Sequence, residues 1–336
     1  MAKRGTGSGK FRVHIMNNPV GEMVFRITPE RLAEALARCP EVARRVDTSM
    51  DWGQENFDRA MGDADALIAW RPPTENLAER APRLKWIHTT GAGVDHLLPL
   101  DWLPSGVALI NNSGVHAPKC GEFGMMAVLM LNEHMPRFYS QQRAHSYGSV
   151  FTSPIAGKTL GIIGVGEMGG AVARRVRKLG LKIIGVRRHG GPSRWVDEMF
   201  GPEGIDEVLR RADFVLVTTP LTPETEHLID RRRLGLMKPA AGLINMGRAR
   251  VVDYDALSGA LRDGGLSGAI LDVFDPEPLP PESPLWDTPN LIMTPHVSSD
   301  DDEAYIPRTL DLFFDNLRRH FAGKPLRNRV RPKLGY

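Results

Sequence analysis

Cysteine is almost missing from this chain: its 336 residues include only Cys39 and Cys120, in no paired spacing. That argues against a disulfide scaffold and a structural zinc site, so no metal is expected, and it fits a reducing cytoplasm. Long apolar runs are missing too. The longest, 123–131 with Gly124 counted as apolar, is far shorter than the roughly 18 residues that span a bilayer, and no transmembrane helix is expected. Nor is there a large charge of either sign. Against 43 Lys and Arg stand 40 Asp and Glu, a formal balance of +3. The basic residues are scattered apart from Arg231, Arg232 and Arg233 and the stretch 327–333, which gives nucleic-acid binding no support. At the start, Lys3, Arg4 and Lys10 lie among Gly5, Gly7, Ser8 and Gly9 without the apolar core of a secretory signal, and this stretch reads as a loose tail.

A chain of this length exceeds one comfortable hydrophobic core, so two domains are expected. Its 42% apolar and 25% charged residues are those of a globular protein rather than a disordered one. Apolar, β-branched runs at 11–16, 66–70, 85–89 and 107–111 read as strands, and 29–39 has helical spacing through Leu32, Ala35 and Leu36. After Pro154 a second alternating series begins, with strands expected at 159–165, 182–186, 214–218, 242–245, 269–273 and 291–294. Strands alternating with helical segments predict parallel sheets with crossover helices, and six short strands suit a doubly wound nucleotide-binding sheet. The stretch 122–131 is apolar almost all round, as in a helix packed in a core, linking two lobes or lying in a subunit interface. The final helical pattern, 304–321, carries Ile306, Leu310, Phe313, Phe314 and Leu317 on one face and is expected to fold back on the first lobe.

Gly164-Val165-Gly166-Glu167-Met168-Gly169 matches the G-x-G-x-x-G fingerprint. It follows a strand and opens a helix through Val172, Val176 and Leu179, the context that makes the pattern specific. Gly164 allows the tight turn, Gly166 lets the backbone approach a pyrophosphate, and Gly169 lets helix and strand pack closely. The helix N-terminus adds amide donors and partial positive charge. Thr219 and Pro220, after the strand 214–218, are counted among the coenzyme-binding residues with Glu167 and Met168. An acid for the adenosine ribose is expected about 20 residues after the fingerprint. Arg187 and Arg188 stand there instead, followed by His189. Guanidinium groups suit a 2′-phosphate, so NADP is expected over NAD, which stays possible; a solvated basic loop is the alternative.

Three further segments carry a family resemblance: Ile244-Asn245-Met246-Gly247-Arg248 running into Val251-Val252-Asp253; Leu271-Asp272-Val273-Phe274-Asp275-Pro276-Glu277-Pro278; and Thr294-Pro295-His296. With Gly323-Lys324-Pro325-Leu326-Arg327-Asn328 and the closing Gly335-Tyr336, the chain resembles the D-isomer-specific 2-hydroxyacid dehydrogenases over nearly its whole length. The resemblance places the catalytic arginine, glutamate and histidine on Arg248, Glu277 and His296. The residue chemistry agrees. Arg248 suits holding a carboxylate and polarising a ketone. His296 suits proton donation near neutrality, and a neighbouring Glu277 would orient the ring and raise its pKa.

By the same resemblance Asp272 lies near the nicotinamide carboxamide, with a strand-end cap as its alternative. Gly91, Ala92, Gly93 and Val94, running into Asp95, resemble the substrate loop, whose amides converge on a carboxylate; an ordinary glycine turn is the alternative. Ala69-Trp70-Arg71-Pro72-Pro73 and Pro284-Leu285-Trp286 look closest to the glyoxylate/hydroxypyruvate reductase branch. Trp70, Arg71 and Trp286 would then trim the pocket, unless the tryptophans serve only packing. The chain departs from the family in two places. Ala249 replaces the glycine common after the arginine. Asp300-Asp301-Asp302-Glu303 follows the histidine motif and would either disfavour acids at the site or cap a helix.

The resemblance implies a Rossmann-type coenzyme domain, 114–297, inserted in a flavodoxin-like α/β substrate domain formed by 1–113 and 298–336, and a homodimer. The expected reaction is NAD(P)H-dependent reduction of a small 2-oxo acid such as glyoxylate or hydroxypyruvate to the D-2-hydroxy acid. A coenzyme-responsive corepressor without turnover is the other class. Phosphoglycerate dehydrogenase fits less well because no regulatory domain follows, and formate dehydrogenase fits poorly because that branch has glutamine in place of Glu277.

Overall fold

The computed structural model describes residues 9–332. The stretch 1–8, with most of the expected tail, and residues 333–336, with the closing Gly335-Tyr336, lie outside the described residues. Lys10, counted in the tail, is described and makes an exposed ion pair with Asp47 at 3.1 Å. The chain divides into two compact units. One joins the residues up to Val115 to those from Asp301 onward, and the other runs from His116 to Asp300.

In the first unit β1 (Phe11–Asn17), β2 (Val46–Trp52), β3 (Ala66–Ala69), β4 (Trp86–His88) and β5 (Ala108–Ile110) form a parallel sheet in the order 2-1-3-4-5, the flavodoxin-like arrangement. Both faces are covered, so β3, β4 and β5 are apolar at nearly every position. Val13, Ile15, Ile68, Trp86 and Ile110 meet the helices Pro29–Ala37 and Tyr305–Phe321 on one face; Leu67, Ile87 and Leu109 meet Phe57 and Met61 on the other. The helix Tyr305–Phe321 buries Ile306, Leu310, Phe313, Phe314 and Leu317, the face its spacing predicts. It packs in the unit that contains the N-terminal strands.

β2 has no apolar run in the sequence. It is an edge strand whose only buried residue is Val46, and seven residues pair in register with β1. Its stability comes from backbone pairing rather than from a buried face, so hydrophobic periodicity does not mark it.

The second unit has seven strands where six were expected: β6 (Thr159–Ile163), β7 (Lys182–Val186), β8 (Glu198–Phe200), β9 (Phe214–Val217), β10 (Gly242–Asn245), β11 (Gly268–Leu271) and β12 (Leu291–Met293). Their order, 12-11-10-9-6-7-8, is all parallel. This is a doubly wound Rossmann-type sheet extended by one strand, whose order reverses between β6 and β9. The added β8 is a three-residue edge strand with no fully buried side chain, again too weakly patterned to read.

The helix Ala117–Asn132 buries Cys120, Gly121, Gly124, Ala127, Val128 and Leu131. It packs closely on the helix Glu167–Val176: a Cβ on Gly124 would lie 2.3 Å from Val172 Cγ2. Core packing therefore explains one side of this apolar helix, while Met126 is 44% exposed on another. Gly124→Val forces these helices apart and is expected to cost about 1–3 kcal/mol, seen as a lower urea midpoint at unchanged slope. An unchanged midpoint contradicts the close contact. Among the described residues no helix is long and apolar enough to cross a membrane.

Candidate active site

Parallel strands place their carboxyl ends on one edge, and ligands of doubly wound sheets bind there, at the point where strand order reverses. Many of the residues singled out in the second unit follow such ends. Gly164 follows β6, Arg187 β7, Thr218 and Thr219 β9, Arg248 β10, Asp272 β11 and Thr294 β12.

At the end of β6, Gly164 has φ +105°, and a Cβ there would lie 2.8 Å from the Thr219 amide. Only glycine meets both conditions without strain. A Cβ on Gly169 would lie 2.7 Å from the Gly164 carbonyl, whereas one on Gly166 would meet nothing within 4 Å. The first contact fixes strand against helix; the open side of Gly166, with Glu167 as the first helical residue, gives room for a phosphate at a helix N-terminus. These residues fit a dinucleotide. Thr218 and Thr219 tie β9 to the loop through hydroxyl bonds to the Gly164 and Ile163 carbonyls at 2.7 and 2.8 Å. The Pro220 carbonyl accepts from the Thr225 hydroxyl at 2.7 Å, and half-buried Met168 packs in the core behind the loop.

The two arginines after β7 differ. Arg187 Nη2 donates to the Pro192 carbonyl at 2.9 Å and so braces its own loop. Arg188 lies near Glu224, whose carboxyl is held low by the Thr222 hydroxyl and its own backbone amide, with a smaller pull from Arg188.

His296, Glu277 and Arg248 come together. His296 Nδ1 and Glu277 Oε2 are 2.8 Å apart, and Glu277 Oε1 accepts from the Phe274 amide at 2.8 Å. The hydrogen bond to Glu277 raises the His296 pKa, with burial and the charge of Arg248 opposing it. Burial pushes the Glu277 carboxyl up, but its bonds from His296 and Phe274 and the charges of His296 and Arg248 bring it below the ordinary value. The charged pair is therefore favoured on both sides. Arg248 Nη1 donates to the Gly247 carbonyl at 2.9 Å, and the next residue, Ala249, is buried at the start of a short 3-10 turn.

Asp272 has a role the alternatives left open. Almost fully buried, it accepts from Thr294 Oγ1 at 2.6 Å, the Val297 amide at 3.0 Å and the Ser298 amide at 3.1 Å. The carboxylate thus anchors the turn that carries His296, as a cap does. His296 itself has φ +55°, an uncommon conformation for a residue with a side chain.

Sequence reasoning gave no role to Asn245 or Tyr254. Buried Asn245 accepts from the Gly247 amide at 3.0 Å and donates to the Arg248 carbonyl at 3.1 Å and the Tyr254 hydroxyl at 2.9 Å. Tyr254 in turn donates to the Val273 carbonyl at 2.8 Å. This chain ties the Arg248 turn to the end of β11. A buried amide inside an apolar strand was the available signal.

The acidic cluster divides. Asp301 accepts from the Ala304 amide at 2.8 Å and pairs with Arg308 at 2.7 Å, bracing the turn that leads into the final helix, while Asp302 and Glu303 face solvent. Asp300 lies 3.7 Å from His116 Nδ1. Burial lowers the His116 pKa first, with His296 and Arg248 adding to it, so this contact is not an ion pair near neutrality. Burial pushes the Asp300 carboxyl up to about 6, partly countered by His296.

In the first unit Trp70 stacks on His96 with ring centroids 4.0 Å apart, and a Cβ on Gly91 would fall 1.9 Å from the Trp70 ring. Gly91 thus answers to this indole. Arg71 is exposed. In the second unit the Trp286 indole donates to the Pro280 carbonyl at 2.8 Å and is 43% exposed.

Residues 125–298 match the model of the D-isomer specific 2-hydroxyacid dehydrogenase, NAD binding domain. The chain is 34% identical over 295 residues to the glyoxylate reductase of Thermofilum pendens, covering 84% of this chain and 86% of that one. It spans 55% of the D-3-phosphoglycerate dehydrogenase of Methanocaldococcus jannaschii, at 31% identity over 84% of this chain. Among solved structures, a D-isomer specific 2-hydroxyacid dehydrogenase from Xanthobacter autotrophicus in complex with NADPH and MES superposes with TM-score 0.81, at 30% identity over 96% of this chain and 99% of that one. An NADPH-dependent glyoxylate/hydroxypyruvate reductase from Sinorhizobium meliloti with NADP and sulfate gives 0.80 at 28% identity, covering 97% and 100%.

The raised pKa of Asp300 predicts a stability profile. Its native carboxyl keeps the proton to a higher pH than the unfolded chain, with a value of about 6 against an ordinary 3.8. Its contribution is full below the lower value and is lost as pH rises through the upper one. Asp300→Asn should flatten the fall in stability between pH 4 and 6 and raise the urea midpoint at neutral pH. An unchanged profile contradicts the burial of this carboxyl.

Proposed function

The chain belongs to the D-isomer specific 2-hydroxyacid dehydrogenase family, and on that premise we propose that it reduces glyoxylate or hydroxypyruvate to the D-2-hydroxy acid with NADPH as preferred reductant. It is an NAD(P)-dependent oxidoreductase. The observation that carries the proposal is the 2.8 Å contact between His296 Nδ1 and Glu277 Oε2, set beside a guanidinium whose charge both groups feel.

In this reading Glu277 holds Nδ1 and stabilises the imidazolium, so that Nε2 presents its proton to the substrate carbonyl oxygen. Arg248 binds the substrate carboxylate and polarises the ketone. The loop 91–94 is proposed to offer backbone amides to a carboxylate, and Trp70, Arg71 and Trp286 to limit side-chain size. The nicotinamide coenzyme, when bound, supplies the hydride. The fingerprint glycines, Glu167, Met168, Thr219 and Pro220 form its phosphate and ring side. Asp272 serves it indirectly, through the turn it holds.

NADPH is favoured because two guanidinium groups follow β7 where an acid would repel a 2′-phosphate. Similar proteins whose structures hold NADPH and NADP support this. The unit formed by both chain ends is proposed as the substrate domain and the unit from His116 to Asp300 as the coenzyme domain. A homodimer is proposed from the exposure of Met126, Tyr139, Tyr147 and Phe151, and a cytoplasmic setting from two free, buried thiols.

His296→Gln should lower kcat by about 10²–10⁴-fold with the NADPH dissociation constant nearly unchanged. Glu277→Gln should move the alkaline limb of reduction to lower pH, because the imidazolium loses the partner that raises its pKa. Near-normal kcat in the first variant and an unmoved limb in the second would reject the proton-donor assignment.

Arg188→Ala should raise the KM for NADPH roughly tenfold or more while changing that for NADH little. Equal changes for both coenzymes would reject a 2′-phosphate contact.

A further inference from the structure

The loop after β4 owes its shape to a buried polar network inside the first unit. The Thr90 carbonyl accepts two bonds, from Asn112 Nδ2 at 2.8 Å and from the Tyr305 hydroxyl. The Gly91 carbonyl accepts from the Asn112 amide at 2.9 Å, and the Ala92 carbonyl accepts from Asn111 Nδ2 at 3.0 Å. Three consecutive carbonyls are thus turned toward asparagines 111 and 112 and the first residue of the final helix.

The orientation of Asn112 is itself fixed. Its Oδ1 lies 3.1 Å from His88 Nε2, and its Nδ2 donates to Thr309 Oγ1 at 2.7 Å. Thr309 in turn donates to the Tyr305 carbonyl at 2.9 Å. Burial lowers the His88 pKa to about 4, so the ring is neutral. A neutral ring facing an amide oxygen through Nε2 carries its proton there, which leaves Nδ1 as the atom without a partner. His88, Asn112 and Thr309 are 0% exposed and Tyr305 is 3% exposed, so water does not compete for these bonds.

A planar trans peptide directs the N–H of one residue opposite to the carbonyl before it, and no cis bond occurs in this loop. With the Gly91 and Ala92 carbonyls drawn inward, the Ala92 and Gly93 amides point outward from the network. The Gly91 amide is turned to Thr89 Oγ1 at 3.5 Å. Ala92 and Gly93 are half-exposed between buried Gly91 and Val94. Two adjacent outward amides on small residues make a concavity suited to an anion.

We propose that Asn112 and Tyr305 are positioning residues for substrate recognition: by anchoring the Thr90 carbonyl, beside the Gly91 carbonyl held by the Asn112 backbone amide and the Ala92 carbonyl held by Asn111, they fix the loop backbone from which the Ala92 and Gly93 amides face the carboxylate of the 2-oxo acid. This rests on the reading of the chain as a 2-oxo acid reductase. Neither residue touches the substrate, and their effect reaches it through the loop backbone alone.

The test pairs Tyr305→Phe, which removes one hydroxyl from a site that keeps its ring, with Asn112→Ala, which removes the side-chain bonds to Thr90, Thr309, Tyr305 and His88 at once and leaves the backbone bond to Gly91. For each, oxalate binding to the NADPH-loaded protein is measured by calorimetry, together with kcat/KM for glyoxylate and for its uncharged methyl ester. Tyr305→Phe should weaken oxalate binding about five- to tenfold and Asn112→Ala more. The KM for NADPH and the alkaline pH limb should stay unmoved, and the loss for the ester should be smaller than for the acid. Equal losses for acid and ester, or unchanged oxalate affinity in a folded Tyr305→Phe protein, overturn the positioning role alone. A wild-type chain that neither reduces glyoxylate nor binds oxalate overturns the functional reading, and the positioning role with it.

Discussion

A carboxylate taken out of water must be met by donors, and Asp272 meets that requirement with groups on both sides of His296. The Thr294 hydroxyl lies before the histidine and the Val297 and Ser298 amides after it. Wrapping the chain around one buried carboxylate closes a tight turn, and His296 occupies the left-handed region within it. Such backbone costs on the order of 1–3 kcal/mol and persists only where the surroundings over-determine it. The same strand end supplies the partner. Two residues beyond Asp272, the Phe274 amide binds one oxygen of Glu277, while the other oxygen meets His296. β11 thus fixes both members of the imidazole–carboxylate pair.

Around that pair the environment separates groups of like chemistry. His296 is raised by Glu277, while His116 is lowered by burial and neighbouring positive charge. Glu277 is lowered and Asp300 raised. One imidazole is shifted toward its charged form and the other toward its neutral form; one carboxyl is shifted toward its ionised form, while the other keeps its proton to higher pH. Divergent environments of this kind separate the group that can give up a proton from those that cannot.

Much of this was legible in the sequence, for physical reasons. Buried parallel strands leave apolar runs, and Gly164 and Gly169 answer to contacts only glycine allows, so β6, its turn and the following helix could be read directly. The edge strands β2 and β8 could not, because pairing with one neighbour leaves no apolar signature. Arg248, Glu277 and His296 were found through motif resemblance. Their convergence depends on which strands lie side by side, and a linear pattern does not carry that. Tyr254, Asn112 and Tyr305 escaped notice because each works through hydrogen bonds to backbone groups distant in the sequence, and Asn245 because its bonds within its own turn have no periodic signature. Arg187 and Arg188 looked equivalent as neighbours, but one is bonded to the carbonyl of its own loop.

Oxidation of NADPH, followed by its absorbance with glyoxylate, hydroxypyruvate and longer 2-oxo acids, tests the central claim most directly. The account predicts rapid oxidation with the two short acids, slower with NADH and slower as the side chain lengthens. No oxidation with any acid in the panel would contradict it, and would leave the fold as that of a coenzyme-responsive binding protein.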